Sequence, residues 1–322
     1  MKALLLAGGF GTRMRPLTYT RPKHLLPIGN VAHIEHVFRL LRETGVTDVV
    51  LTTSYLAEAF ASTVRDAQGR GLSIEVAHEE VALGTAGALK NAAPILGQER
   101  FMVLNADVLT DADLGGLLEF HESAGAEASI MLTRVADPSA FGVVPTDDDG
   151  RVQGFIEKPP PGQAPTDLIN AGVYVMEASV LGRIPGGREY SAERGLFPEL
   201  VEAGSLYALS LDGYWTDVGT PDKYLAANRD AIEGRFHGAG IVAVHDEAEV
   251  AADARISSSC VGPGCYVDAG ASLTASVLLP GVKVGREAQV IGSILGENVT
   301  VAPGAEVVGE TVADDTEIER RR

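Results

Sequence analysis

Charged side chains in this sequence stand beside glycine turns at the ends of apolar runs, where a small anionic ligand could be met. The sharpest case is Ala3-Leu4-Leu5-Leu6-Ala7-Gly8-Gly9-Phe10-Gly11-Thr12-Arg13-Met14-Arg15-Pro16, completed by Pro22-Lys23. The apolar run 3–7 is long enough for a buried strand, and it stops in the glycines Gly8, Gly9 and Gly11. Glycine lets the backbone turn sharply and brings its N–H groups close to a ligand with no Cβ in the way. Successive N–H groups turned into one concavity bind anions, phosphate foremost. Arg13, Arg15 and Lys23 add permanent positive charge beside it. Neither G-x-G-x-x-G nor G-x-x-x-x-G-K-[ST] is present, so the two familiar phosphate loops do not describe the segment.

Carboxylates supply the complementary chemistry. Asn105-Ala106-Asp107 closes an apolar strand, and Asp217 stands in Tyr214-Trp215-Thr216-Asp217-Val218-Gly219-Thr220-Pro221, again strand then turn. Two carboxylates far apart in sequence, each at a strand end, can converge on one Mg²⁺. That metal prefers oxygen ligands and often takes one or two carboxylates plus substrate phosphates. An aspartate at such a place can also serve only as a turn residue bonded to its own backbone. Glu79, in Glu79-Glu80-Val81-Ala82-Leu83-Gly84-Thr85-Ala86-Gly87, follows a strand, and a helix opens at Thr85. A carboxylate only accepts hydrogen bonds, and guanine's N1–H and N2–H₂ are adjacent donors on one edge. Glu79 is thus a candidate guanine reader, with Gly84 letting the backbone close on the ring. The alternative is a solvated glutamate at a strand end, with the base read by backbone alone. Glu157-Lys158-Pro159 ends a further strand-like run, 152–156, and a lysine suits phosphate as a mobile point charge.

Taken in order, these segments resemble the sugar-nucleotide pyrophosphorylases, which make an NDP-sugar and pyrophosphate from an NTP and a sugar 1-phosphate. Their pattern L-A-G-G-x-G-T-R-L-x-P-L-T, then P-K-x-L-L-P-I, is matched from Leu6 to Ile28, with Met14 for the usual Leu. The resemblance implies nucleotide contacts from Leu6, Ala7, Gly8, Gly9, Gly11, Thr12, Arg13, Lys23, Glu79, Gly84, Thr85 and Asn105. It implies metal aspartates at Asp107 and Asp217, although Ala106 departs from the usual N-G-D or N-S-D. For the sugar phosphate it implies Gly142 of Phe141-Gly142-Val143-Val144, Glu157, Lys158, and Asn170 and Gly172 of Asn170-Ala171-Gly172-Val173-Tyr174. Arg13, Lys23 and Lys158 are then the residues that handle charge during transfer. The segment around Glu79 resembles the guanylyltransferases more than the thymidylyltransferases, and Ser191-Ala192-Glu193-Arg194 resembles an S-I-E segment of mannose 1-phosphate enzymes. GTP and mannose 1-phosphate are the implied substrates, with Mg²⁺ as cofactor. Thymidylyl or adenylyl transfer to glucose 1-phosphate, guanylyl transfer to an unusual sugar or cyclitol phosphate, and a non-catalytic regulatory paralogue are the rivals. Spacing alone fits Ser191 as a helix cap equally well.

Other features bound this reading. The chain has 322 residues and a formal net charge of −18, which disfavours nonspecific binding to nucleic acid or an anionic membrane. A polyanionic substrate entering so acidic a protein needs a local basic cluster, which the first glycine turn supplies. Cys260 and Cys265 cannot form a disulfide framework and read as packing residues. No run approaches the length of a membrane span, and the expectation is a cytoplasmic protein.

Elements that would position these residues follow from periodicity. Segments 48–52, 73–78 and 101–105 read as strands and 34–43, 57–67 and 113–123 as amphipathic helices, with His121 on a helix surface. The alternation predicts an α/β fold: a Rossmann-like, mostly parallel sheet with helices on both faces and ligands at the strands' carboxyl ends. Near residues 235–245 the pattern changes to aliphatic beats six residues apart, Val261, Val267, Leu273, then Val284, Val290, then Val301, Val307. A period of six marks a parallel β-helix, and the breaks in phase imply irregular or bulged coils. The expected division is a catalytic domain over 1–235 and a short left-handed β-helix over 236–322, of the kind appended to many members of the resembling family. Some four coils leave an end that needs capping, by the last residues or by another subunit, so a homo-oligomer is expected.

Overall fold

The computed structural model describes residues 1–54 and 56–320. They form two compact units, neither continuous in sequence: Met1–Gly9 with Val37–Trp215, and Phe10–His36 with Thr216–Arg322. The first glycine turn is therefore shared out, Gly8 and Gly9 to one unit and Gly11 to the other.

The sheet unit is built on nine strands: β1 (Lys2–Leu6), β2 (Asp48–Thr53), β3 (Ser73–His78), β4 (Phe101–Asn105), β5 (Ala128–Arg134), β6 (Gly142–Val143), β7 (Ile156–Glu157), β8 (Leu168–Met176) and β9 (Leu206–Ser210). Their order is β7-β6-β8-β4-β1-β2-β3, with β5 beside β8 and β9 beside β5. β1 lies between β2 and β4, parallel to both, and Leu4 faces Val50 on one side and Val103 on the other. These central strands are near-continuous apolar runs because both faces of a parallel sheet are covered. β8 runs antiparallel to β4 and β5 and shifts register between Asn170 and Tyr174. Helix α1 (His33–Glu43) falls close to the expected segment, as does α2 (Ala61–Gly69), which a 3₁₀ turn, Ala57–Phe60, precedes. Helix α3 (Gly84–Leu96) sends Ala86, Leu89, Ala92 and Leu96 into a core shared with Leu4, Val50, Phe101 and Val103. Only Ile156 of the strand-like run 152–156 joins a named strand, since Val152 makes just an isolated bridge to Thr146.

His121 departs from expectation. On α4 (Leu114–Ala124) it continues the buried stripe Leu114, Leu117, and is 1% exposed. Its Nδ1 lies 2.9 Å from Ser129 Oγ and its Nε2 3.2 Å from Glu177 Oε1, and burial pushes its pKa down. A polar ring at this helical spacing reads as surface only when its hydrogen-bond partners on other elements are unknown.

The tail is an all-parallel β-helix with three faces, as a left-handed β-helix requires. One face stacks Glu249–Val250, Tyr266–Val267, Lys283–Val284, Thr300–Val301 and Glu317–Ile318. The second stacks Arg255–Ser257, Ser272–Thr274, Gln289–Ile291 and Glu306–Val308, and the third starts from Cys260–Val261 and Val277–Leu278. Partners such as Val267 and Val284 are 17 residues apart, so each coil is regular and one of its three sides is a residue short of six. This corrects the expectation of irregular coils. The aliphatic beat simply comes early on the third face, at Leu278 and Leu295, both buried with the beats expected from sequence. The corners need left-handed backbone. Ser258, Ala275, Gly292 and Gly309 form one column of positive φ, at 46°, 47°, 55° and 66°. Beside it Ser259, Ser276 and Ser293 are buried, each Oγ accepting the N–H one coil on at 3.0–3.2 Å. Cys260 and Cys265 are buried in the tail, and burial pushes the Cys260 thiol up to about 12, which leaves it unreactive.

Candidate active site

In the sheet unit, β1, β3 and β4 end together in Ala7-Gly8-Gly9, Glu79 and Asn105-Ala106-Asp107, at the carboxyl edge where parallel sheets bind ligands. Ala7 is buried, and its N–H donates to Thr52 Oγ1 at 3.3 Å. Gly8 is hemmed in: a Cβ there would stand 3.2 Å from Glu79 Oε1 and 3.4 Å from Ser54 Oγ, whose hydroxyl donates to the Gly8 carbonyl. Glu79 is only 5% exposed, so the solvated alternative does not describe it. Its Oε2 accepts the Leu83 N–H at 3.2 Å, and burial pushes its pKa up against that hydrogen bond. A carboxylate has about four acceptor positions, so one such bond leaves capacity for a donor-bearing ligand.

The start of α3 is held by the segment around Tyr190. The Tyr190 carbonyl accepts from Ala86 and Gly87 N–H at 3.0 and 2.9 Å. A Cβ on Gly84, at φ +71°, would lie 2.9 Å from that same oxygen, so this approach is what requires glycine here. Thr85 Oγ1 donates to Glu193 Oε2 at 2.8 Å and accepts the Ala192 N–H at 2.8 Å. Ser191 is an N-cap, accepting the Arg194 N–H, and its hydroxyl donates to Glu193. Glu193 thus ties the Thr85 turn to the Ser191 turn, a role that sequence spacing did not reveal.

On the sugar-side strands, Gly142 and Gly172 are places where a side chain would collide. A Cβ on Gly142 would be 2.6 Å from Phe155 Cζ and 3.2 Å from Glu157 Oε2. On Gly172, at φ +75°, it would be 2.6 Å from Asn105 Nδ2. Asn170 braces this bulge, Oδ1 accepting the Gly172 N–H at 2.9 Å and Nδ2 donating to Tyr174 Oη at 2.9 Å. One amide hydrogen and one lone pair remain for a ligand. Lys158 adopts φ +51° and keeps its side chain 61% exposed, with Nζ 3.5 Å from Glu157 Oε1. Phe141 and Trp215 meet edge-on at 5.7 Å, and the indole N–H donates to the Ala171 carbonyl at 2.8 Å.

In the other unit, Gly11 adopts φ +61° and opens a 3₁₀ turn, Thr12–Met14, that carries Arg13. Its carbonyl accepts Thr18 Oγ1 at 2.8 Å, and Lys23 Cβ lies 3.5 Å from where a Gly11 Cβ would be. Gly219 is the glycine that sequence reasoning passed over. A Cβ there would sit 2.8 Å from Arg13 Nη2 and 3.5 Å from Asp217 Oδ2, so its absence admits the guanidinium beside the carboxylate. Lys223, also missed, places its ammonium on Asp217 Oδ1. Asp217 thus already receives a cation.

The donor set fits a magnesium ion in kind. Asp107 and Asp217 are hard oxygen donors, and among the described residues no three His, Cys, Asp or Glu side chains group as a metal cage. Each aspartate is the kind of ligand that magnesium takes alongside phosphate and water.

Residues 2–234 match the family model described as nucleotidyl transferase, and residues 239–321 match that of the GMPPB C-terminal domain. The chain belongs to the nucleotidyl transferase family. Among curated relatives, mannose-1-phosphate guanylyltransferase of Mycobacterium tuberculosis is 42% identical over 278 residues, 83% of this chain and 77% of that protein. Mannose-1-phosphate guanylyltransferase 1 of Arabidopsis thaliana is 39% identical over 287 residues, 84% of this chain and 79% of that one. Among solved structures, HddC from Yersinia pseudotuberculosis complexed with GMP-PN superposes with TM-score 0.61 at 26% identity, covering 71% of this chain and 98% of its own. No helix of the described residues is long and apolar enough to cross a membrane.

Proposed function

We propose that this chain transfers GMP from GTP to mannose 1-phosphate, releasing pyrophosphate and forming GDP-mannose. The observation that carries the base choice is the Glu79 carboxylate, buried at the end of β3 with Gly8 bare beside it. Buried carboxylates that meet two adjacent donors favour guanine, since a base without them leaves the charge unpaired. The names of the curated relatives support both substrates.

In the reaction, a phosphate oxygen of the sugar 1-phosphate attacks the α-phosphorus of GTP. That bond forms as the bond to the β-phosphate oxygen breaks in line, and pyrophosphate carries away the electron pair. Such transfers need positioning and charge neutralisation rather than a protein nucleophile. Leu6, Ala7, Gly8, Gly9, Gly11 and Thr12 present backbone to the nucleotide. Arg13 stabilises charge on the α-phosphate and leaving pyrophosphate, and Lys23 assists on the triphosphate. Glu79, Gly84, Thr85 and Asn105 serve the nucleoside. Lys158 holds the attacking phosphate, while Gly142, Glu157, Asn170 and Gly172 shape the sugar's place. Asp107 and Asp217 would hold Mg²⁺, which when bound supplies charge neutralisation to the phosphates. In this reading residues 1–235 are the catalytic domain, residues 236–322 serve assembly of a homo-oligomer, and the enzyme works in the cytoplasm.

A matrix of GTP, dTTP and ATP against mannose and glucose 1-phosphates, scored by released pyrophosphate, tests this. GTP with mannose 1-phosphate is expected to be best, with activity lost in EDTA and restored by Mg²⁺. A preference for dTTP or ATP overturns the guanine assignment, and no pyrophosphate from any pair overturns the enzyme reading.

A further inference from the structure

The tail's last coil holds a carboxylate turned onto the glycine-turn segment. Asp314 Oδ2 accepts from Thr20 Oγ1 at 2.7 Å and from Arg21 Nη2 at 2.7 Å. Its Oδ1 accepts from Arg21 Nη1 at 3.3 Å and from the Glu297 N–H at 2.8 Å. Arg21 Nη2 also lies 3.1 Å from Glu297 Oε1 on the preceding coil. The Arg21 and Asp314 side chains are 13% and 12% exposed, so this is a largely dry, forked pair. Exposed ion pairs contribute little, but a forked arginine–carboxylate pair fixes direction as well as distance.

The pair stands at the close of the segment 11–23, on the residues that precede Pro22-Lys23. Pro22 joins Arg21 to Lys23 at φ −60°, and a proline ring leaves that angle almost no freedom. Lys23 opens the 3₁₀ turn Lys23–Leu25, and its stem backs Gly11, whose carbonyl is held by Thr18. Downstream, Tyr224 Oη donates to the Pro27 carbonyl at 2.6 Å and Asn228 Oδ1 accepts the Gly29 N–H at 2.9 Å. Asn30 Nδ2 donates to the carbonyls of Val242 and Val261 at 2.9 and 3.1 Å. The stretch 20–30 is therefore tied to the tail at both of its ends, through Thr20-Arg21 to the last coil and through Asn30 to the first.

We propose that Asp314 and Arg21 are positioning residues: the β-helix's last coil holds the phosphate-handling segment, with Arg13 and Lys23, in its working conformation. The inference rests on the reading of that segment as the triphosphate contact. It gives the tail a part in the chemistry of its own chain, beyond assembly.

The test is steady-state kinetics on the full-length chain with Asp314→Asn, Arg21→Gln and the double variant, with Lys23→Ala and Asp315→Asn alongside. The two clamp variants are expected to raise KM for GTP and lower kcat, together about tenfold or more in kcat/KM, because small misplacements of charge-handling groups are costly. KM for mannose 1-phosphate should stay within about twofold, and the double variant should be no worse than the worse single. Asp315, whose Oδ1 accepts from Asn298 Nδ2 at 3.0 Å, should leave the kinetics unchanged when substituted. Wild-type kinetics in Asp314→Asn overturn the proposal, as do single effects that simply add, or equal rises in both KM values. Should Asp314→Asn fail to fold, Arg21→Lys, which keeps charge and loses the fork, must show the same GTP-selective defect. If Lys23→Ala itself is fully active, the reading of the segment fails instead.

Discussion

In the β-helix Leu273 meets Val290 just as Ile256 meets Leu273, one coil apart, whereas in the sheet unit Gly172 comes against Asn105, an approach that no other glycine among the described residues of that unit repeats. The tail specifies its shape by recurrence, so each corner, serine and aliphatic beat is supported by equivalents above and below. The sheet unit specifies its site by single close approaches between elements distant in sequence. A repeat shares an error among its neighbours, whereas a unique approach has nothing to share it with. Substitutions at the chemical residues should therefore act steeply and those in the tail's corners gently.

The largest effect is expected at Arg13. Arg13→Ala removes charge that matters most in the transition state, and such electrostatic stabilisers cost roughly 10²-fold or more in kcat. Circular dichroism should stay native, since Arg13 is exposed. Near-normal turnover in a folded Arg13→Ala protein would remove this residue from the chemistry.

Next come the glycines of the sheet unit. Gly172→Ala adds a Cβ 2.6 Å from Asn105 Nδ2 in left-handed backbone. Overpacking costs about 1–3 kcal/mol and the wrong hand about 1–2 kcal/mol, so denaturant melts should show about 2–5 kcal/mol of destabilisation. Gly9→Ala is the sharpening control, because nothing lies within 4 Å of its Cβ position. Its stability should change by no more than about 0.5 kcal/mol. A loss of GTP affinity at unchanged stability would then identify a glycine kept for the ligand rather than for the fold.

At Glu79 the expected effect is smaller and depends on pH. Burial raises its pKa, so the folded protein holds this proton more tightly than the unfolded chain does. The associated stabilisation is present below the ordinary carboxylate range and is lost as pH rises through the raised value. Guanine recognition runs the other way, since only the ionised carboxylate accepts from both donors. The preference for GTP over ATP should therefore fall as pH drops through that raised value. Glu79→Gln should cut the preference at neutral pH by roughly tenfold and flatten its pH dependence, as unpaired groups of this kind cost about 1–3 kcal/mol. A pH-independent preference in the wild type would assign base choice to other groups.

The same contrast explains what could be read from sequence. Strands 73–78 and 101–105 and the helix ending at Glu43 were legible because apolar period and turn residues are local signals. The aliphatic beats were legible too, yet the 17-residue coil was not, since a regular five-residue side looks like a lost phase when a period of six is sought. Glu79 could be singled out by its motif, but its burial against Gly8 depends on which strands are neighbours. Gly219 closes the turn after Asp217, and nothing local to that turn signals that Arg13 lies over it. His121 failed for a similar reason: its partners Ser129 and Glu177 come from other elements.

The smallest predicted effect lies in the tail, where recurrence supplies its own control. Ala275 occupies a corner at φ 47°, and the equivalent places one and two coils on are Gly292 and Gly309, at 55° and 66°. An alanine held in left-handed backbone costs roughly 1–2 kcal/mol relative to its preferred region. Glycine there removes that strain but loses more chain entropy on folding, an offset of about 0.4–1 kcal/mol. The Ala275 N–H already donates to the Ser257 carbonyl at 3.0 Å, and that bond survives the change. Ala275→Gly should therefore stabilise the tail by about 0.5–1 kcal/mol, read as a later tail transition in thermal melts, with kinetics unaltered. The opposite exchange at the next coil, Gly292→Ala, should destabilise by a similar amount. If both exchanges instead cost several kcal/mol, the tail's corners are as singular as Gly172 and recurrence does not soften them.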